Sequence, residues 1–164
     1  MATPVLPKRK RNRLEHYNYC APGAYFITIC TAGRKQLFWE DVGASIARPQ
    51  SIPLSPHGRI VENAIRGIHR HYPMITVDHY AVMPNHIHLL LQIHSDENGC
   101  PIRAPKIPIV IQQMKGIVTK EIGVSVWQKL YHDHVIRDQR DYDKIWQYIE
   151  TNPMKWEDDC FYTE

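Results

Sequence analysis

The hydrophobic period changes repeatedly along the chain. Residues 24–31 (AYFITICT) are a run of aromatic and β-branched side chains, which predicts a strand. Residues 57–71 then carry Ile60, Val61, Ala64, Ile65 and Ile68 at helical spacing. Ser55-Pro56 just before them suits an N-cap followed by proline in the first turn. Residues 75–83 (ITVDHYAVM) and 86–93 (HIHLLLQI) predict two strands, and with only Pro84-Asn85 between them they form an antiparallel hairpin. Residues 107–122 place Val110, Met114, Ile117 and Val118 on one helical face. Residues 125–136 (SVWQKLYHDHVI) read as a further strand with room for a turn inside it. In the last helix Tyr142, Ile145, Trp146 and Ile149 follow i, i+3, i+4, i+7, with Asp138 as N-cap and Pro153 stopping the helix near Asn152. The order is β-α-β-β-α-β-α. Its first six elements predict an α+β fold with a ferredoxin-like, split βαβ antiparallel sheet, and the seventh is an added C-terminal helix.

Composition narrows the class without naming it. The chain has 164 residues, 43% hydrophobic and 23% charged, which suits one globular domain and excludes a disordered or collagenous chain. No apolar run is long enough for a membrane span, and the basic N-terminus is not followed by the apolar stretch of a secretory signal. A cytoplasmic protein is the expectation. Cys20, Cys30, Cys100 and Cys160 have no zinc-finger or C-x-x-C spacing and are expected as free thiols. Eight of the twelve prolines fall in three groups, marking an arm and two long connections at 40–56 and 94–106.

Charge is unevenly placed. Lys8, Arg9, Lys10, Arg11 and Arg13 sit in the first 13 residues, which hold no acid; without these five the chain keeps 15 basic and 17 acidic residues, a net of −2. Such an arm can neutralise phosphates without reading sequence. The expected division is therefore a basic arm at 1–19, a domain at 20–157 and a tail at 158–164.

The strand at 86–93 carries the candidate chemistry. Side chains alternate along a strand, so Ile87, Leu89, Leu91 and Ile93 share the core face, and His86, His88 and Gln92 share the other. Two imidazoles one strand repeat apart, about 6.5–7 Å by backbone rise, can converge on one metal ion. Two other H-x-H strings serve as controls. His69-Arg70-His71 falls near a helix end, where i and i+2 diverge by about 200°, and is expected on the surface. His132-Asp133-His134 lies before the last helix, where His134 suits a structural or nucleic-acid role. Tyr148 and Asn152, four apart, lie on one flank of the last helix's apolar stripe, where a hydroxyl can reach the sheet surface. A phosphodiester would join these parts. A phenol of pKa about 10 is a weak nucleophile, and a divalent ion on two histidines and an amide oxygen can polarise a phosphate as a Lewis acid.

The run Tyr80-Ala81-Val82-Met83-Pro84-Asn85-His86-Ile87-His88-Leu89-Leu90 resembles the signature of the single-tyrosine HUH transposases, the IS200/IS605-like superfamily. With Tyr131 to Arg137 and Tyr148 to Trp156 the chain is similar to the REP-associated tyrosine transposase branch, over roughly residues 20–157. The resemblance implies a metal-dependent single-stranded DNA endonuclease and strand transferase that works through a covalent 5′-phosphotyrosine, often beside a DNA hairpin. It implies His86 and His88 as metal ligands, Asn152 in the third-ligand position and Tyr148 as the nucleophile, with Mg2+ or Mn2+ as the ion. Insertion-sequence relatives usually have Gln where this chain has Asn152. Where the branch often has a Gly-Thr-x-Tyr-like string, this chain has Gly23-Ala24-Tyr25-Phe26. Further DNA contacts are expected from Lys8, Arg9, Lys10, Arg11, Arg13, Tyr25, Lys115, Lys120 and Arg137. Trp127 is expected in the core, and Trp156 in the core or stacked on a base. Either a homodimer exchanging the tyrosine helix or a monomer fits the resemblance. The rival reading is a domesticated module that binds hairpin DNA or RNA without cutting it. A histidine-triad nucleotide hydrolase would need a third histidine where this chain has Leu90.

Overall fold

The computed structural model describes residues 18, 21–40, 53–95 and 106–163; the arm at Lys8 to Arg13, Cys20 and Cys100 lie outside the described residues. Four strands form one antiparallel sheet: β1 (Gly23–Cys30), β2 (Ile75–Val82), β3 (His86–Ile93) and β4 (His132–Ile136), in spatial order β2-β3-β1-β4. The helices are α1 (Pro56–Arg66), α2 (Ile68–His71), α3 (Ile107–Ile122) and α4 (Gln139–Thr151), followed by a 3-10 segment at Asn152–Asp158. The connectivity is the expected ferredoxin-like one with an extra terminal helix.

Alternation along β1 and β3 divides the molecule into two layers. Tyr25, Ile27 and Ile29 of β1 and Ile87, Leu89, Leu91 and Ile93 of β3 face α1 and α3 and form the main core. Each of those aliphatic side chains contributes about 1.5–3 kcal/mol by burial. The opposite face carries Ala24, Phe26, Thr28 and Cys30 on β1 and His86, His88 and Leu90 on β3. α4 covers this face across β2 and β3, with Ile149 as its buried anchor.

Local chemistry sets the helix ends. Ser55 Oγ accepts from Gly58 N at 3.0 Å and caps α1. The expected helix at 57–71 breaks at Gly67, because glycine is a weak helix former, and α2 resumes after it. Gly123, at φ 88°, ends α3 in the left-handed conformation that glycine adopts without strain. Asp138 accepts from Asp141 N at 2.8 Å and caps α4.

One element is shorter than expected. The strand predicted over 125–136 enters the sheet only at His132–Ile136, and Trp127 makes a single isolated bridge to Thr31. Around that bridge Ala32 N donates to Val126 O at 2.8 Å and Gln128 N to Cys30 O at 2.9 Å, and beyond it Lys115 Nζ donates to the carbonyls of Gln128 and Lys129.

Candidate active site

His86 and His88 project from β3 into the layer under α4, and neither is solvated: their exposures are 0% and 1%. Their rings are oriented from behind. Asn85 Nδ2 donates to the carbonyls of Phe161 (2.8 Å) and Arg34 (3.3 Å), which leaves Asn85 Oδ1 as the acceptor for His86 Nδ1 at 2.9 Å. His86 Nδ1 therefore carries the proton, and Nε2 presents its lone pair. His88 Nδ1 lies 2.9 Å from Thr28 Oγ1, its cross-strand neighbour, so its Nε2 also faces the site. The two Nε2 atoms stand 3.0 Å apart. Phe26 stacks on His88 at 5.3 Å and closes one side.

α4 delivers the phenol. Tyr142 donates to Asp78 Oδ2 at 2.9 Å, Trp146 stacks on His79 at 4.5 Å, and Glu150 pairs with His79 Nε2 at 2.8 Å; all three fasten α4 to β2. Tyr148, one residue before buried Ile149, is thereby held at the layer's edge, 39% exposed, with its hydroxyl 3.4 Å from His88 Nε2. One turn on, Asn152 is buried, with Nδ2 3.2 Å from the same nitrogen and Oδ1 without a hydrogen-bond partner. All of these groups belong to one chain.

The segment expected as a tail supplies a further group. The Asp159 side chain is 1% exposed. Its Oδ1 accepts from Phe161 N at 2.6 Å, and its Oδ2 lies 3.9 Å from His86 Nε2 and 3.5 Å from the Tyr148 hydroxyl. Phe161 packs on His86 at 4.7 Å. Ligand atoms of His86, His88 and Asp159 all lie within 4.8 Å of one another. Sequence reasoning missed Thr28, Asn85 and Asp159 as site groups. Only the cross-strand register and the Asn-His adjacency carried any signal for the first two.

Electrostatics fit a cation better than a free imidazole pair. Burial lowers the His86 pKa to about 4 and that of His88 well below the ordinary value, so both rings are neutral at neutral pH. Burial, and then the Asp159 charge, push Tyr148 up to about 12. His86 Nε2, the Asn152 amide and the Tyr148 hydroxyl all crowd His88 Nε2, which offers one lone pair or one proton. An unsatisfied buried amide oxygen beside two converging imidazole nitrogens and a carboxylate is a donor set for a divalent cation.

The other expected residues divide. Tyr25 is corrected: it is fully buried in the main core and its hydroxyl donates to Ala21 O at 2.7 Å, so its ring is not available to a nucleic acid. Lys115 is half-buried and tied to the loop carbonyls described above. Lys120 and Arg137 are exposed. His134 is drawn to Asp141 at 2.7 Å, away from the histidine pair, and His69 and His71 are exposed. Trp127 is in the core, and Trp156 packs between Trp39 and His86. Cys30 and Cys160 are free. Among the described residues no helix is long and apolar enough to cross a membrane.

An antiparallel ferredoxin-like sheet with two histidines on the face under α4 and a tyrosine on that terminal helix is the arrangement that the resemblance in the sequence implies. No family model matches the chain. A Haemophilus influenzae protein described only as uncharacterized is 32% identical over 95% of this chain and 94% of its own length. A second protein of that organism, named for the REP-associated tyrosine transposases, is 26% identical over 81% of this chain and 71% of its own length. A solved REP-associated tyrosine transposase bound to a REP hairpin has the same fold, with a TM-score of 0.63 at 20% identity over 88% of this chain and 74% of that one. The chain is thus similar in sequence to a protein named for the REP-associated tyrosine transposases and shares the fold of a solved one.

Proposed function

We propose that the protein cuts and rejoins single-stranded DNA beside a hairpin, with Tyr148 as the nucleophile and His86, His88 and Asn152 as ligands of a divalent cation, Mg2+ or Mn2+. The observation that carries this reading is the convergence of the Tyr148 hydroxyl on the paired Nε2 atoms, at 3.4 Å from His88, within one chain. The hairpin comes from the solved relative, which is bound to one. The two Nε2 atoms, 3.0 Å apart and both facing the site, would hold the divalent cation together with Asn152. The bound ion would supply Lewis-acid polarisation of the phosphate and offset the charge that develops in the transition state.

The chain's own groups do the rest. Asn85 and Thr28 hold the two imidazoles with their Nε2 atoms inward. The Tyr148 oxygen attacks the scissile phosphorus; the new O–P bond forms as the bond to the 3′ oxygen breaks. The phenol proton leaves to Asp159 Oδ2, the nearest carboxylate, and the departing 3′ oxygen takes a proton from solvent. The product is a 5′-phosphotyrosine and a free 3′-hydroxyl. Reversal of the same step by another 3′-hydroxyl rejoins the strand without a nucleotide cofactor. Phe26 and Phe161 flank His88 and His86 and limit water around the reacting centre.

The test is cleavage of a hairpin-flanked oligonucleotide with and without Mn2+. Wild type should leave a covalent protein–DNA adduct that Tyr148→Phe lacks while the variant still binds DNA. An adduct that survives in Tyr148→Phe would overturn the assignment of the nucleophile. Binding by wild type with no adduct at any metal concentration would favour the non-catalytic hairpin binder instead.

A further inference from the structure

The face of the molecule away from the histidines carries a second feature that the cutting chemistry does not use. A cavity of about 350 Å3 opens between Lys115, Gly116 and Lys120 of α3 and Trp127 and Lys129 of the loop that follows. Its lining holds three lysines and no carboxylate. Among the described residues none of the three lysines forms an ion pair. Lys115 is the deepest: among the described residues its ammonium has only the carbonyls of Gln128 (2.7 Å) and Lys129 (3.4 Å) as partners, so its charge is left without a counter-charge. The remaining polar side chains of the lining are those of Thr119, Ser125 and Gln128; Trp127 also lines it, with its indole Nε1 buried.

A second observation points to an occupant. Gly116 sits inside α3, where glycine costs helix stability relative to alanine. It does not adopt a positive φ, and a Cβ built on it meets nothing within 4 Å. No packing among the described residues requires a glycine there; the space in front of it is free for something else.

We propose that this cavity seats a backbone phosphate of nucleic acid, a second anchor for the strand whose scissile phosphate is processed at His86 and His88. The inference rests on the nucleic-acid reading above and adds a place to it. Ammonium and hydroxyl groups match phosphate oxygens, and Trp127, 6% exposed, offers no face for a base to stack on. The two sites share one end of the sheet. Trp127 bridges Thr31, Thr31 N donates to Asn85 O at 2.8 Å, and Asn85 holds His86. The turn between them exposes Arg34 and Lys35, so a strand rounding this end stays on basic ground.

The test is fluorescence anisotropy of the full chain with a labelled hairpin-flanked oligonucleotide, in EDTA and across a salt series. Two variants separate charge from space: Lys120→Gln with Lys129→Gln, and Gly116→Leu, which keeps every charge and fills the cavity. The double variant should bind several-fold more weakly at low salt, with a log–log salt slope shallower by about 0.7 for each phosphate that is no longer neutralised. Gly116→Leu should weaken binding by a similar factor without lowering Tm. Wild-type affinity and slope in both variants would overturn the cavity and leave the nucleic-acid reading standing. Weakening in the lysine variant alone would also overturn it, since the charges would then act without the cavity. Absence of any nucleic-acid binding by wild type would sink both readings.

Discussion

His86 converts burial into a measurable pH dependence. Its imidazole is fully buried, and burial holds its pKa at about 4 against an ordinary 6.5; the Asp159 carboxylate pulls the other way but does not win. A base whose folded pKa lies below its unfolded value binds its proton more readily in the unfolded chain. Between the two values the unfolded state therefore carries more protons, and stability rises with pH. The His86 contribution is full above about pH 6.5 and is lost as pH falls toward 4. Between about pH 7.5 and about pH 5 the linkage relation gives a loss of about 2 kcal/mol for this one residue. That corresponds to a Tm lower by about 4–8 °C for a chain of this size. His88 is shifted in the same direction and adds to the loss. The assay is urea denaturation in EDTA at both pH values, for wild type and His86→Gln. Wild type should lose at least about 2 kcal/mol more than the variant over that interval. Equal pH dependence in the two proteins, or a wild type more stable at the lower pH, would refute the reasoning from burial.

Three further outcomes follow from the geometry. A Cβ on Gly58 would stand 2.1 Å from Phe38 O, a backbone atom that cannot swing away, so Gly58→Ala should cost about 3 kcal/mol or more in denaturant unfolding; a cost below about 1 kcal/mol would contradict the close approach. Asp138→Ala removes the cap of the helix that carries Tyr148 and should destabilise the protein by about 1 kcal/mol, which chemical denaturation resolves; no change would mean the cap is redundant. Asp159→Asn deletes the negative charge beside Tyr148 and should bring its pKa down from about 12 while burial keeps it above 10. Tyrosinate absorbance, taken as the difference from Tyr148→Phe in each background, reads this directly, and an unmoved titration would show that the charge is not felt.

How far the sequence reached depended on whether a feature was periodic. β3 alternates cleanly, so the split between Ile87, Leu89, Leu91 and Ile93 on one side and His86 and His88 on the other was legible from residue spacing alone. The α4 stripe and its Asp138 cap were legible for the same reason, and they placed Tyr148 and Asn152 on the flank that meets the sheet. The 125–136 segment looked like one strand because apolar residues recur through it. In the structure it pairs twice, as the lone bridge of Trp127 to Thr31 and as the strand at His132–Ile136, with Lys115 bound to the carbonyls of Gln128 and Lys129 between them. Tyr25 looked like a DNA contact through the string around it, but its register beside Leu91 puts it on the core face, and strand parity decides its environment over motif.

Asp159 marks the limit of such reading. It lies beyond the last periodic element, seven residues past Asn152, and no spacing rule connects it to β3. Its position depends on the 3-10 turn at Asn152–Asp158 and on Asn85 Nδ2 gripping Phe161 O, a hydrogen bond spanning 76 positions. The residue that holds His86 in its tautomer thus also fastens the segment carrying the carboxylate. Loosening that one amide should disturb the imidazole and the carboxylate together, although the two are scattered along the chain. Pairwise patterns in a sequence expose groups that share an element. A group placed by a single long-range hydrogen bond has no such pattern, and only the folded chain reveals it.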